Sequence, residues 1–137
     1  MNKITEQWFS ENSFETFKKP AIEKYELTTE SGVVETLEGK VNYNAGHYIM
    51  TGPKGEKYPI SPEKFKSLKD DHGNGACSPK KIIKKAKLAD HDGVIVTKWG
   101  KLEYTANNDY IVRHGENDYG AVKRDIFAIT YDTTNAK

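Results

Sequence analysis

The chain has 137 residues with 21 Lys and Arg against 20 Asp and Glu, a formal net charge of +1, so no whole-molecule field draws it to nucleic acid or to an anionic membrane. A single cysteine, Cys77, excludes an intrachain disulfide and a thiolate zinc cage, and no apolar run reaches the ~20 residues of a membrane span. Hydrophobic content of 36%, with eight Tyr, suffices for a lean core and suits half-buried pleated surfaces.

Met1 to Ser10 lack a basic segment followed by an apolar one, so they do not read as a secretory signal, and the cytoplasm is the expected compartment. An export signal read by a dedicated secretion system would not be visible in this way. Residues 1–19 read as an N-terminal helical arm. Ser13 is the candidate N-cap for Phe14 to Lys18, and the aromatic residues are expected to dock on the first β unit and cover a sheet edge.

Pro20 closes the arm, and residues 20–70 read as the first β unit. Ala21 to Thr28 alternates as a strand, and Val33 to Thr36 and Lys40 to Tyr43 flank a Gly39 turn. His47 to Thr51 and Glu56 to Ile60 flank Gly52-Pro53-Lys54-Gly55, a second hairpin. Ser61-Pro62 starts a single helical turn that drops Phe65 into the core. Residues 71–79, rich in Gly, Asn, Ser and Pro, read as a linker. The second unit, 80–133, opens with a strand over Lys81 to Leu88. It repeats the two hairpins, matches the Phe65 turn at Lys123 to Phe127, and closes with a strand over Ala128 to Asp132. Residues 134–137 are the tail.

The second unit echoes the first in its letters as well. Gly32, Val33, Thr36, Gly39, Lys40, Tyr43 and Ala45 recur 61 positions later as Gly93, Val94, Thr97, Gly100, Lys101, Tyr104 and Ala106. Tyr48, Ile49 and Phe65 recur 62 positions later as Tyr110, Ile111 and Phe127. This is the signature of an internal duplication. Strand, hairpin, hairpin, helical turn and final strand is the plan of a small five-stranded SH3-like barrel. The expectation is therefore a mainly β protein of two tandem SH3-like barrels with a helical N-terminal segment. The alternative is a single antiparallel sandwich built from both halves.

Phe17-Lys18-Lys19-Pro20-Ala21-Ile22-Glu23, Thr36-Leu37-Glu38-Gly39, Ala45-Gly46-His47-Tyr48-Ile49-Met50-Thr51-Gly52, Gly55-Glu56-Lys57-Tyr58-Pro59 and Pro62-Glu63-Lys64-Phe65 follow one another in the first half. This run resembles a family of small phage and prophage proteins of unassigned activity, over roughly residues 17–70. The family pattern has Pro where this chain has Ala45 and Asp where it has His47; the second half keeps the acid as Asp109. The resemblance implies a β-rich fold and a phage-like origin, and no activity.

His47, His72, His91 and His114 lack metal-ligand spacing, and neither a metal site nor a cofactor is expected. His72 and Cys77, with Asp70 and Asp71 beside them, are the one pair that reads as a thiol nucleophile and its base, the third-ranked reading. Asp90-His91-Asp92-Gly93 reads as a turn. Nucleotide-loop and nucleophile-elbow motifs are absent, so no enzyme is expected. Lys80, Lys81, Lys84, Lys85 and Lys87 interleave with Ile82 and Ile83, as phosphate contacts along a strand would; nucleic-acid binding is the second reading. The leading reading is a non-catalytic binding or adaptor protein, phage-derived, that recognises a protein or peptide partner through an aromatic groove. The groove candidates are Tyr43, Tyr48 and Tyr58 with Trp99, Tyr104 and Tyr110.

Overall fold

Alternation of buried and exposed positions, not helical periodicity, organises most of the chain. The computed structural model describes residues 4–136. Helix α1 (Glu6–Ser10) and strand β1 (Phe14–Thr16) come first. The first half then runs β2 (Glu23–Leu27), the hairpin β3 (Gly32–Thr36) and β4 (Gly39–Tyr43), the hairpin β5 (Tyr48–Thr51) and β6 (Lys57–Ile60), helix α2 (Pro62–Leu68), and the hairpin β7 (Lys69–Gly73) and β8 (Ala76–Pro79). The second half runs β9 (Lys84–Leu88), β10 (Gly93–Thr97), β11 (Gly100–Tyr104), β12 (Asp109–Gly115), β13 (Asp118–Lys123) and helix α3 (Arg124–Thr130).

The strands form three antiparallel sheets ordered β6-β5-β2-β8-β7, β10-β11-β4-β3 and β1-β9-β12-β13. The protein is mainly β with little helix. Each sheet is open, so among the described residues no barrel closes. The middle sheet takes one hairpin from each half, joined where β4 meets β11. There Asn42 N donates to Trp99 O and Glu103 N to Glu38 O, both at 2.8 Å. Asn42 and Glu103 are 61 positions apart, as are Glu38 and Trp99, so the two bonds exchange under a local two-fold. Glycine is required at this seam. A Cβ on Gly39 would fall 2.5 Å from Lys101 O, and one on Gly100 2.5 Å from Lys40 O.

Each half has its own core built on one aromatic stack. Tyr48 stacks on Phe65 at 3.8 Å between ring centroids, and Tyr110 on Phe127 at 4.1 Å. Ser61 caps α2, its Oγ accepting from Lys64 N, with Pro62 in the first turn, and Phe65 is buried.

Four expectations give way to the structure. The arm is helical only over Glu6–Ser10, where Thr5 Oγ1 caps by accepting from Trp8 N, and no helix begins at Ser13. Phe14 and Thr16 are buried with Glu15 exposed between them, a period of two, and the segment is a strand paired with β9. The arm also docks on the second half rather than the first, because Phe9 packs with Ala89, Tyr104, Ile111 and Tyr119. Residues 71–79 form most of the β7–β8 hairpin instead of a linker. Gly73, Asn74 and Gly75 all take positive φ there, the geometry a tight hairpin turn demands. Finally, Ala128 to Asp132 is not a strand: α3 continues to Thr130, and only Tyr131 bridges to Lys18.

Candidate functional site

The halves meet along the β4–β11 seam and again through side chains at their far ends. Lys54, in the β5–β6 turn, pairs with Asp125 of α3, and Lys64 of α2 pairs with Asp118, the first residue of β13, at 3.2 Å. Between these contacts lies a cleft of about 1220 Å³, bordered by both halves and by the end of the arm. It is larger than the ~300–1,000 Å³ of most small-molecule pockets.

Charge is divided unevenly over the molecule. The cleft is bordered by ten lysines (residues 18, 19, 24, 57, 64, 69, 80, 84, 98 and 123) and five carboxylates (residues 23, 38, 56, 63 and 118). Its apolar contribution includes Ile22, Leu37 and Ile129, which are 71%, 52% and 50% exposed although large and hydrophobic.

On one wall Glu23 holds two ammoniums. Lys69 Nζ donates to its Oε1 at 2.6 Å and Lys18 Nζ to its Oε2 at 3.0 Å, while Lys18 also reaches Tyr58 Oη at 3.3 Å. Burial works against the Glu23 carboxylate, yet the two ammoniums hold it below its ordinary range. Burial, and then the neighbouring Lys18, brings Lys69 down to about 8. Burial raises the phenols of Tyr58 and Tyr131, so both stay neutral, and Tyr58 Oη accepts from Lys18 Nζ.

At the seam, Trp99 reaches across to His47 of the first half, ring centroids 4.9 Å apart and edge to face. Its counterpart Glu38 reaches across to the second half, 3.9 Å from Lys123 Nζ, which itself lies 3.2 Å from the fully buried Asp109. Burial raises Glu38 to about 7; Lys123 opposes the rise and Asp109 adds to it.

Of the six aromatic residues expected to form a groove, Tyr58 and Trp99 border the cleft. Tyr48 and Tyr110 are core stack members. Tyr104 is buried with its hydroxyl 2.9 Å from His91 Nε2. Tyr43 lies half-buried against Gly32, where a Cβ would fall 2.5 Å from the phenol oxygen. These four are structural because glycine or phenylalanine partners from their own half cover them.

The lysine run is likewise split. Lys80 and Lys84 border the cleft. Lys81 lies over the Phe17 ring at 4.6 Å, and Lys87 sits 4.0 Å over Trp8 while donating to Trp8 O at 2.7 Å. Lys85 is exposed. The run is thus no continuous phosphate track, since two of its members fasten the arm.

Cys77 and His72 are not brought together as a nucleophile and base. Cys77 is 0% exposed in the core with Met50 and Phe65, and burial pushes its thiol up. His72 Nε2 instead lies 2.9 Å from Ser78 Oγ on the exposed hairpin. Among the described residues no group of three or more His, Cys, Asp or Glu is arranged to hold a metal ion, and no helix is long and apolar enough to cross a membrane. Reasoning from sequence missed Lys18, Glu23, Lys69, Lys84 and His114 as neighbours. They come from the arm, β2, β7, β9 and β12, and no local spacing connects them. Comparison with protein-family models, with curated proteins and with solved structures finds no match.

Proposed function

We propose that this is a non-catalytic binding protein whose central cleft takes an acidic, extended segment of a partner protein. The observation that carries this reading is charge partition: ten lysines against five carboxylates border the cleft of a chain whose net charge is only +1. Ile22, Leu37 and Ile129 beside those lysines suit apolar side chains interspersed among the acids. In this reading the halves are duplicated copies of one small SH3-like unit, opened so that each contributes a wall. The resemblance of residues 17–70 to small phage and prophage proteins fits a cytoplasmic accessory or effector that occupies a host protein.

The second reading, single-stranded nucleic acid, draws on the same lysines with Tyr58 and Trp99 as stacking surfaces. One titration separates the two. A fluorescent peptide of alternating Glu and Leu and a fluorescent oligothymidine are each titrated with the full chain across a salt series. Peptide binding should be saturable and weakened about tenfold by Leu37→Asp, because each lost tenfold is ~1.4 kcal/mol and an introduced charge at an apolar contact costs at least that. Oligothymidine binding that falls steeply with salt, with no peptide binding, would overturn it in favour of nucleic acid.

A further inference from the structure

The cleft wall where α2, β9 and β12 approach one another carries positive charge that its own carboxylates do not balance. Lys84 Nζ lies 2.9 Å from His114 Nδ1, a basic nitrogen rather than an acid. Among the described residues no carboxylate comes within ion-pair distance of Lys84, whereas Lys64 has Asp118 at 3.2 Å and Lys18 shares Glu23 with Lys69. Four ammonium groups therefore share two carboxylates along this wall, and all six side chains border the cleft together with His114.

The imbalance is felt by its members. Burial, then Lys18 and Lys64, bring Lys84 down to about 8, with Asp118 opposing. Although the His114 ring keeps an exposed edge, desolvation by its neighbours, then Lys84 and Lys64, hold it well below its ordinary value; Asp118 opposes here too, and Lys18 adds to the fall. The His114 ring lies directly over Gly120 of β13, where a Cβ would fall 2.9 Å from its Nε2.

We infer that Lys18, Lys64, Lys84 and His114 form an anion pocket in the cleft wall that takes a dianionic oxyanion, a phosphoryl group or a pair of neighbouring carboxylates. Two negative charges are what four ammoniums and two carboxylates lack, and the Lys84–His114 contact becomes favourable for two protonated groups only when an anion bridges them. This rests on the reading of the cleft as a binding groove, and it names the group by which the groove holds its ligand.

The test is calorimetric titration of the full chain with inorganic phosphate and, separately, with the dipeptide Glu-Glu. Saturable binding is expected for wild type. Lys84→Met and His114→Gln should each weaken it about tenfold, the loss of one charge-assisted contact of ~1.4 kcal/mol. Lys85→Gln, exposed and outside the cleft border, should leave it unchanged. Binding should also move the His114 imidazole proton resonance and raise the pH at which it titrates, a readout that needs no variant to fold. Phosphate without Glu-Glu identifies a phosphoryl group; both together show that carboxylates suffice. Binding of neither, or equal loss in Lys85→Gln, overturns the pocket. The alternating Glu-Leu peptide would still bind in the first case if the wider groove reading holds, so the two failures are distinguishable.

Discussion

His47 and Asp109 occupy equivalent turns, 62 positions apart, and serve them with different atoms. His47 Nδ1 accepts from Asn44 N at 3.3 Å, and Asp109 Oδ2 accepts from Thr105 N at 2.8 Å. Both accept from a backbone N–H of the turn that precedes them, in bonds that are partly shielded from solvent, which explains why the position requires an acceptor and tolerates either residue. What lies across the seam differs accordingly, since His47 meets the Trp99 ring of the other half directly, whereas Asp109 is linked to Glu38 of the other half through Lys123 of its own. The exchange of His for Asp was visible in the sequence. Its meaning was not, because the residue that answers it lies in the other half.

Glu38 gives that seam a pH dependence. Its folded value near 7 stands above the ordinary ~4.3 of an unfolded glutamate, so between those values the folded state holds a proton that the unfolded state has released. Stability from this group is intact below about pH 4 and falls as pH rises towards 7. Glu38→Gln removes the titration. The variant should therefore gain on wild type by ~2 kcal/mol between pH 5 and pH 8 in urea unfolding, as ~1.4 kcal/mol per pH unit over the shift implies. A constant difference across that range would show that Glu38 is charged in the folded protein.

At the scale of elements, the two halves complete their sheets by different routes. In the first half β8 flanks β2, with Cys77 opposite Glu23; in the second β1 flanks β9, with Thr16 opposite Lys84. Glu23 and Lys84 are 61 positions apart, so the arm occupies in the second half the place that the β7–β8 hairpin fills in the first. The cores follow suit. Tyr25 packs on Phe65 and Tyr48 in one half; its equivalent, Ala86, is small, and Phe14 opposite it packs on Tyr110 and Phe127. Phe14→Ala should cost ~3–5 kcal/mol in chemical denaturation, since nothing else reaches that space. A loss below ~1 kcal/mol would show that the arm is not part of the second core.

The hairpins and α2 were legible because Gly, Pro and Ser punctuate them locally. The arm was misread because Trp8, Phe9, Phe14 and Phe17 fit no single period, the first two lying in a helix, Phe14 in a strand and Phe17 just beyond it. The 71–79 hairpin did carry a usable signal, Asn74-Gly75, but its strands are polar because β7 is an exposed edge. The seam makes an element-scale prediction of its own. Gly100→Ala drives a methyl group against Lys40 O and should open β4 from β11, costing ~1–3 kcal/mol and exposing Asn42 N to hydrogen exchange. Unchanged protection at Asn42 would mean that the halves are held together elsewhere.

For the whole molecule, a net charge of +1 gives no hint of a cleft with twice as many lysines as carboxylates. Composition averages over the surface, and only the fold gathers the arm, β2, β7, β9 and β12 on one wall. The local two-fold sets Glu38 and Trp99 facing opposite halves, and the side-chain pairs Lys54–Asp125 and Lys64–Asp118 span the far end. A ligand in the cleft would touch both halves at once.

The chain's two tryptophans report on this directly. Trp99 borders the cleft, while Trp8 lies outside it, over Lys87. Fluorine NMR of 5-fluorotryptophan-labelled protein, titrated with the alternating Glu-Leu peptide, tests the central claim. The Trp99 resonance should move saturably while that of Trp8 stays fixed. Movement of Trp8 alone, or of neither as the peptide binds, would contradict a binding cleft between the halves.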